Sequence, residues 1–411
     1  MLKRGGESMY RWIAKAGVIV SFGLGMGMQA EAQRITWLGT LPGSYRSEAW
    51  DVSDSGSVVV GKSLVGTTWR AFRWTATDGM IDIGALPTIP SQSEAYAVSG
   101  NGEVIVGRSG GRWRAYRWTA TDGMQDLGSL GGIDSIATGV SADGSVVVGW
   151  AANAGGFVSA FRWEDGGMMD LGTLGGNSSQ AWAVSADGAV IVGEAKTLSN
   201  QSHAFRWEDY VMLDLGTLGG ANSRAYGISA NGVFIVGSAQ DNEGRWRAFR
   251  WSATNGMENL GSLGGNEIRT YGVTNNGAVV VGMARDASNQ WRAFRWTPEG
   301  GVQDLNQVYA GLLTRNAVLI GAYAITPDGR YIVGWGVQPG GGYRAFLLDT
   351  HCLTHNGDVD ENGCVDDADL LVILFAFGEQ GEALGRIDVN CDGVVDDADL
   401  LQVLFNFGSG C

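Results

Sequence analysis

The chain has 411 residues and a formal net charge of −15 at pH 7, and 13 of its acidic residues lie in 351–411 beside a single arginine. This distribution argues against nucleic acid as a partner and favours a cation. With 66 glycines, 16 tryptophans and only 6 prolines, the composition argues against disorder and favours strands joined by tight turns.

The N-terminus has the pattern of a secretory signal peptide. Four basic residues precede the apolar run 16–28, and Ala30 and Ala32 form a small-x-small cleavage site. Because the apolar run is short for a membrane span, we predict that residues 1–32 are a signal peptide removed after Ala32. An uncleaved membrane anchor is the alternative. No other long apolar run follows, so we expect a secreted or cell-surface protein that does not span a membrane.

From residue 34 onward the chain repeats one phrase. RAFRWTATDGM at 70–80 returns nearly unchanged at 114–124 and 247–257, with shorter copies elsewhere. The aromatic residue of the phrase recurs every 44 or 45 residues, with a last step of 52, at Phe72, Tyr116, Phe161, Phe205, Phe249, Phe294 and Phe346. A fixed period of this length is typical of a repeat architecture.

Each repeat is predicted to form four short antiparallel strands. In the third copy the strands are predicted at 137–141, 145–150, 160–163 and 168–174. Asp-Gly or Asn-Gly follows the first strand in most copies, and such a dipeptide between apolar runs indicates a hairpin because glycine adopts positive φ without strain. No helical periodicity interrupts residues 34–350.

The strands carry apolar residues on both faces, so neighbouring repeats must cover them. We therefore predict an all-β fold for residues 33–350, a seven-bladed β-propeller of four-stranded blades. The last copy breaks off after its third strand at 344–350, and WLGTLPG at 37–43 matches the missing fourth strand. The N-terminal strand is expected to complete the last blade and close the ring.

The AFRW core and the DLGxLGG tail of the repeat resemble the extracellular HAF repeat of exported bacterial proteins, and residues 203–205 read His-Ala-Phe. The resemblance covers most of residues 34–350. It implies an exported, β-rich repeat protein and assigns no reaction to the repeat.

Two polar positions recur in the repeats. The arginines are Arg73, Arg117, Arg162, Arg206, Arg250 and Arg295, and the fourth-strand residues are Asp82, Asp126, Asp170, Asp214, Asn259 and Asp304. We expect an Arg–Asp pair or an Arg–Trp stack between adjacent strands, because functional sites are rarely copied into every repeat. A ring of arginines that binds an anion is the alternative.

The loop between the second and third strands varies from repeat to repeat. Its aromatic residues are candidates for binding a glycan or a surface protein: Trp69, Trp150, Trp246, Trp291 and Tyr343. The alternative is that they cap the blade cores. Only His203 lies in this region and HExxH is absent, so the sequence favours a protein without catalytic activity, with a catalytic pair of carboxylates as the alternative.

The acidic C-terminal region carries two copies of an EF-hand-like loop, 30 residues apart. The predicted Ca²⁺ ligands of the first are Asp358, Asp360, Asn362, the backbone of Cys364, Asp366 and Asp369. Those of the second are Asp388, Asn390, Asp392, the backbone of Val394, Asp396 and Asp399. Glycine holds the sixth position of both loops, where the chain must turn sharply, so two Ca²⁺ ions are expected.

Each loop leads into an amphipathic segment of helical spacing, at 367–378 and 397–408. The duplicated loop–helix unit resembles a type I dockerin, and the Gly-Cys end resembles a variant found on surface-anchored bacterial proteins. The resemblance implies a small α-helical domain at 351–411 and a cohesin-like partner bound through the exposed helix starts. Those positions hold Asp367-Ala368 and Asp397-Ala398, where typical dockerins have a Ser-Thr pair.

All four cysteines, Cys352, Cys364, Cys391 and Cys411, lie in this region and predict two disulfides, with three possible pairings.

Together these features predict an exported, non-catalytic propeller that serves as a binding or scaffold module, tethered through a calcium-dependent dockerin to a cohesin-type partner at the cell surface. The alternative is a dockerin-tethered polysaccharide hydrolase or lyase, which should bring carboxylates together at the central channel.

Overall fold

A computed structural model describes residues 33–87, 91–351, 356–360, 363–379, 384, 387–390 and 394–411. The predicted signal peptide lies outside the described residues. Within the described part of the chain, no helix has the length and apolar character needed to cross a membrane.

The first and second strands of the repeats form the inner half of each sheet. The first strands are β2 (Ser44–Val52), β6 (Ser93–Val98), β10 (Gly131–Val140), β14 (Gly175–Val184), β18 (Gly219–Ile228), β22 (Gly264–Val273) and β26 (Val318–Ile325). The second strands are β3 (Val59–Val65), β7 (Ile105–Ser109), β11 (Val147–Asn153), β15 (Ile191–Thr197), β19 (Ile235–Asp241), β23 (Val280–Asp286) and β27 (Tyr331–Val337).

The third and fourth strands form the outer half. The third strands are β4 (Thr68–Thr75), β8 (Arg114–Thr119), β12 (Val158–Glu164), β16 (Ser202–Glu208), β20 (Trp246–Ser252), β24 (Trp291–Thr297) and β28 (Tyr343–Asp349). The fourth strands are β5 (Gly79–Asp82), β9 (Gly123–Asp126), β13 (Gly167–Asp170), β17 (Val211–Asp214), β21 (Gly256–Gly261) and β25 (Gly301–Asp304), and β1 (Arg34–Trp37) pairs with β28.

Five sheets of four antiparallel strands follow one another along the chain, from β6–β9 to β22–β25. The remaining eight strands form one larger sheet, because β28 meets β2 at a single parallel bridge between Tyr343 and Arg46. The first strands contact one another in a closed cycle from β2 through β6, β10, β14, β18, β22 and β26 back to β2. They therefore surround the centre of the molecule.

The predicted pairing of the N-terminal strand with the last repeat is confirmed. β1 runs antiparallel to β28, with Trp37 opposite Phe346 and ring centroids 6.1 Å apart. The strand is shorter than expected, since it ends at Trp37 and residues 38–43 form a loop. The first strand of the third repeat is longer than expected, beginning at Gly131.

The aromatic residue of the repeated phrase lies at the centre of each core. All seven copies are completely buried. The apolar clusters combine neighbouring sheets; in one, Phe205 and Trp207 pack with Val146 and Val148 of the preceding repeat. Full burial of a phenylalanine side chain stabilises by about 1.5–3 kcal/mol, so the repeated phrase holds adjacent sheets together.

A glycine lies opposite this aromatic residue in the second strand, as Gly61 lies opposite Phe72. A Cβ at Gly61 would overlap the Glu48 carbonyl oxygen and the Phe72 ring. The repeated glycine of the second strand is therefore needed for close approach.

The expectation of no helix within residues 34–350 is wrong at one place. A short helix α1 (Leu305–Val308) and a 3₁₀ turn (Ala310–Leu312) lie between β25 and β26, which accounts for the longer last step of the repeat. Asp304 caps α1 by accepting a hydrogen bond from the Asn306 backbone N–H.

The C-terminal residues contain two helices, α2 (Asp367–Ala376) and α3 (Asp397–Phe405). Asp366 and Asp396 cap them, each accepting a hydrogen bond at 2.8 Å from the backbone N–H two residues on. A small core of Val365, Ile373, Val395 and Val403 joins the two halves.

The end of each helix pairs with the opposite loop. The Gly408 N–H donates to the Val365 carbonyl, and the Gly378 N–H donates to the Val395 carbonyl, both at 2.8 Å. Of the three possible cysteine pairings, the structure contains a disulfide between Cys364 and Cys411. Cys352 and Cys391 lie outside the described residues.

Candidate functional site

A cavity of about 650 Å³ lies at the centre of the ring of first strands. One position of every first strand contributes to its wall: Trp50, Tyr96, Thr138, Trp182, Tyr226, Tyr271 and Tyr323. In each strand this residue is the extra residue of a β-bulge, for example Trp50 between Ala49 and Asp51. A bulge breaks the alternation of a strand and redirects one side chain, here toward the centre.

The aromatic residues of the cavity form a nearly continuous ring. Trp50 stacks on Tyr323 with centroids 4.6 Å apart and meets Tyr96 edge-on at 5.3 Å. Tyr271 contacts Tyr323 at 5.0 Å and Tyr226 at 5.6 Å. Burial raises the pKa of Tyr271 to about 12, so this hydroxyl stays protonated at neutral pH. The aromatic part of the wall therefore offers apolar surface with uncharged hydroxyl and indole groups.

Two residues before the bulge, the side chain differs between repeats. The position holds Glu48, Glu94, Ile136, Gln180, Arg224, Arg269 and Gly321. Since the backbone of the repeats is the same, this variation gives the rim of the cavity an uneven distribution of charge.

The first and second repeats contribute an ion-pair network to the rim. Glu94 contacts Lys62 Nζ at 3.1 Å and Arg108 Nη2 at 2.6 Å, and accepts a hydrogen bond from Tyr96 at 3.0 Å. Burial alone would raise the pKa of Glu94, but Lys62 and Arg108 outweigh it and hold the pKa below its usual value. This carboxylate is ionised and engaged by cations.

The fifth and sixth repeats each have an arginine at this position. Arg224 pairs with Glu194 at 3.1 Å and Arg269 with Glu267 at 2.7 Å. Their guanidinium groups lie over Trp246 and Trp291, at 5.3 and 5.6 Å from the ring centroids.

Asp51 is the one carboxyl group at its position, where the other first strands have alanine or glycine. It accepts hydrogen bonds from the Val52 and Val98 backbone N–H groups at 2.9 and 2.8 Å. Burial raises the pKa of Asp51 to about 7, against the lowering effect of these hydrogen bonds.

The five aromatic residues predicted to bind a ligand do not form one site. Trp150 lines the cavity. Lys62 Nζ lies 4.5 Å from the centroid of the Trp69 ring, and arginine guanidinium groups lie over Trp246 and Trp291. A cation–π contact therefore covers one face of each of these three rings. Tyr343 is exposed and lies 5.3 Å from the Arg46 guanidinium. The bulge residues and the two arginines at the cavity rim were not predicted from the sequence. The arginines could have been found, because their position varies within an otherwise repeated strand.

Of the two contacts expected for the repeated arginine, the pair with the fourth-strand aspartate is wrong, whereas a stack on tryptophan is found at Arg250, whose guanidinium lies 4.8 Å from the centroid of the Trp296 ring in the next repeat. Asp82 lies opposite Phe72, and Arg73 lies opposite Ile81, so strand alternation puts Arg73 and Asp82 on different faces. Asp82 instead binds Arg70, two residues before the aromatic residue, at 2.9 Å. His203 holds the place of Arg70 in its repeat and contacts Asp214 at 2.8 Å, which gives this histidine a structural role.

The first acidic loop brings three predicted metal ligands together. Ligand oxygens of Asp358, Asp360 and Asp369 all lie within 4.8 Å of one another. Asp369 is fully buried and accepts hydrogen bonds from the Val359 and Asp360 backbone N–H groups at 2.6 and 3.0 Å. Gly363 has a φ of +90°, as the sharp turn of the loop requires. Several carboxylate oxygens at one point fit Ca²⁺.

The second loop repeats part of this geometry. Asp399 is fully buried and accepts hydrogen bonds from Asn390 N at 3.0 Å and Asp396 N at 2.9 Å, as Asp369 does in the first loop. Asp388 is also buried. The predicted ligands Asn362 and Asp392 lie outside the described residues, and Asp366 and Asp396 cap helices.

The helices, predicted to be amphipathic, expose large apolar side chains. Phe375 and Phe405 are 86% and 84% exposed, with Leu371 and Leu401 half-exposed beside them. The predicted partner residues Asp367, Ala368, Asp397 and Ala398 are also exposed. After its first turn α2 is apolar on all sides, whereas α3 also carries Gln402.

No family model and no curated protein sequence matches the chain. Solved structures match its fold: an oligogalacturonate lyase from Vibrio parahaemolyticus has a TM-score of 0.52 at 8% identity, over 79% of this chain and 95% of the other. An oligogalacturonate lyase in complex with manganese has a TM-score of 0.51 at 10% identity, over 78% and 96%. A puromycin hydrolase has a TM-score of 0.52 at 16% identity over 75% of this chain, which spans 53% of that enzyme.

At these identities the likeness defines the class of fold and nothing more. Together with the successive four-stranded sheets, it identifies residues 34–349 as an all-β protein of the β-propeller class.

Proposed function

We propose that this protein is an exported binding module, in which a propeller is tethered through a calcium-dependent, dockerin-like domain to a cohesin-type partner at the cell surface. The observation that carries the proposal is the convergence of Asp358, Asp360 and Asp369 within 4.8 Å in a loop whose pattern is duplicated. The propeller is built of seven HAF-type blades. The closed cycle of first strands and the β1–β28 pairing support this number.

Calcium would be held by the carboxylates and backbone carbonyls of the two loops. Arg386 is the only lysine or arginine in the sequence of 351–411, so a bound cation would offset the concentrated negative charge there. When bound, the ion would fix the loops and the helix starts that follow them.

Isothermal titration of the mature full-length chain with Ca²⁺ tests this proposal. We expect two ions per chain. Replacing the first ligand of each loop, Asp358→Asn with Asp388→Asn, should weaken binding at least 100-fold. The matched control, Asp367→Asn with Asp397→Asn, removes the same charge from exposed helix positions and should change affinity little. Absence of calcium binding by the unaltered chain would overturn the calcium-dependent tether.

The partner surface would include the helix starts and the exposed apolar residues beside them. Asp367, Ala368, Asp397 and Ala398 lie next to the loops that calcium would order. Leu371 and Phe375 continue this surface along α2. An exposed apolar patch bordered by acidic residues is typical of a protein-binding site.

A polysaccharide hydrolase or lyase is the second candidate. Asp51 and Glu194 line the cavity, and two structures of similar fold are oligogalacturonate lyases. Against it, Glu194 is paired with Arg224, and Asp51 accepts two backbone hydrogen bonds. Incubation with polysaccharides, followed by chromatography of the products, decides between the candidates: cleavage that is lost in Asp51→Asn would favour the enzyme.

A further inference from the structure

We propose that the central cavity binds an acidic oligosaccharide, with a sugar carboxylate held by Arg224 and Arg269 and the sugar rings against the aromatic wall. This inference rests on the proposed binding function of the propeller and names its ligand class.

The two arginines occupy the same position in adjacent repeats, and no other first strand has arginine there. Their strands, β18 and β22, contact each other, and both side chains line the cavity. Burial lowers the pKa of Arg224, and repulsion from the like charge of Arg269 lowers it further, but Glu194 and Tyr226 outweigh both and raise it. An anion between two adjacent guanidinium groups would relieve this repulsion.

The guanidinium groups are held in place before any ligand binds. Each lies over a tryptophan, Trp246 or Trp291, and each pairs with a glutamate. Their side chains are still 41% and 46% exposed. A guanidinium group has five N–H donors, so one glutamate leaves donors for a second carboxylate. Ordered, accessible guanidinium groups bind a carboxylate with two parallel hydrogen bonds and little loss of entropy.

The aromatic wall offers hydrogen-bond donors as well as apolar surface. Trp50 Nε1 and Trp182 Nε1 are buried and have no hydrogen-bond partner among the residues that the structure describes. A buried N–H without an acceptor is destabilising, and sugar hydroxyl oxygens would supply acceptors. Both tryptophans line the cavity that Arg224 and Arg269 also line.

The size of the cavity fits this ligand class. Its volume of about 650 Å³ lies in the range of small-ligand sites, roughly 300–1,000 Å³. A site for a bare anion would not need the ring of aromatic residues, and a site for a neutral sugar would not need two adjacent arginines.

Titration calorimetry of the mature full-length chain tests the inference with uronate oligosaccharides, among them trigalacturonate and oligomers of glucuronate, mannuronate and guluronate. The matched probes are fully methyl-esterified trigalacturonate, which keeps the sugar backbone without the charge, and inorganic sulfate and phosphate. We expect an acidic oligosaccharide to bind at least tenfold more tightly than its ester and than either inorganic anion.

The double variant Arg224→Gln with Arg269→Gln should weaken acidic oligosaccharide binding about 10- to 100-fold, the range for hydrogen bonds to charged groups. Arg285→Gln is the matched control, because Arg285 also lies over Trp291, at 4.4 Å, but does not line the cavity. It should keep the affinity within about twofold. Thermal melts should show that both variants are folded.

Equal affinity for the acid and the ester, or unchanged affinity in the double variant, would overturn the inference but leave the propeller a sugar-binding module. Binding of sulfate or phosphate alone would overturn the saccharide as ligand. Failure of all uronates to bind would also overturn it, while the calcium titration tests the proposed tether separately.

Discussion

Aspartate is repeated in two regions of this molecule and has a different role in each. In the propeller turns, Asp143 accepts hydrogen bonds from Ser141 Oγ at 2.6 Å and from the Ser145 backbone N–H at 3.0 Å. These bonds lower the pKa of Asp143 to about 2. In the first loop of the C-terminal region, three aspartates instead direct oxygens to one point.

The comparison shows how to interpret a residue that recurs in an internal repeat. A repeated acidic residue that its own turn satisfies is structural, whereas repeated acidic residues that converge are candidate ligands. In the propeller, the candidate site lies where the repeats differ, at Arg224 and Arg269. In the C-terminal region, it lies where the two repeats agree.

The largest expected effect concerns a residue common to the propeller repeats. Phe205→Ala leaves a cavity between two sheets and should lower the free energy of unfolding by about 3–5 kcal/mol, measured by chemical denaturation. Trp182→Phe alters a residue that varies between repeats and should cost less than about 1.5 kcal/mol. A greater loss for Trp182→Phe than for Phe205→Ala would break the distinction between the two kinds of position.

The disulfide tests how far the small C-terminal core depends on covalent support. Cys364 lies in the first acidic loop, and Cys411 closes a separation of 47 residues. Cys411→Ser should lower the stability of this region by about 2–4 kcal/mol and weaken calcium binding at the first loop, both measured on the full chain. Equal calcium affinity in the variant would show that the disulfide does not order the loop.

A second disulfide is predicted from the even number of cysteines. With Cys364 joined to Cys411, the remaining pair is Cys352 and Cys391. Peptide mapping without reduction should recover a peptide that links them. Free thiols at both positions would contradict this prediction.

Asp51 should make stability depend on pH. Because burial raises its pKa from 3.8 to about 7, protonation favours the folded state. This stabilisation is complete below about pH 4 and is lost as the pH rises through 7. The stability of the unaltered chain relative to Asp51→Ala, the residue of three other repeats, should therefore fall by on the order of 4 kcal/mol between pH 4 and 8. A difference that is constant with pH would be evidence against a titrating Asp51.

The smallest expected effect on stability concerns the exposed phenylalanines. Phe375→Ser with Phe405→Ser should change the free energy of unfolding by less than about 0.5 kcal/mol, because both side chains are mostly exposed. Binding to a panel of cohesin domains, measured by surface plasmon resonance in Ca²⁺, should fall at least tenfold. A domain that binds both proteins equally would place the partner surface elsewhere.

Much of the fold could be predicted from the sequence because its signals are local. The repeated aromatic residue marks each third strand, Asp-Gly and Asn-Gly mark turns, and the orphan strand near Trp37 indicates its pairing with the last repeat. The acidic loops were equally visible, since the ligand spacing of an EF-hand is fixed within twelve residues.

The central cavity could not be predicted in the same way. Its aromatic residues sit at β-bulges, where the alternation of side chains fails, so residues such as Trp50 cannot be assigned to a face from their spacing. The wrong prediction of an Arg73–Asp82 pair has a related cause. Which side chains lie opposite each other depends on the register between the third and fourth strands, and the sequence does not specify that register. Arg224 and Arg269 are 45 residues apart in the sequence, and only the packing of two sheets brings their strands into contact.

Differential scanning calorimetry of the mature full-length chain, in excess Ca²⁺ and in EGTA, tests most directly whether repeated aspartates are ligands in one region and structural in the other. At a calcium concentration of 100 times Kd, each of the two ions should stabilise the C-terminal region by about 2.7 kcal/mol, and the Tm of its transition should rise. The propeller transition should keep the same Tm in both conditions, and Asp358→Asn with Asp388→Asn should abolish the shift. A propeller transition that moves with calcium, or a C-terminal transition that does not, would contradict this account.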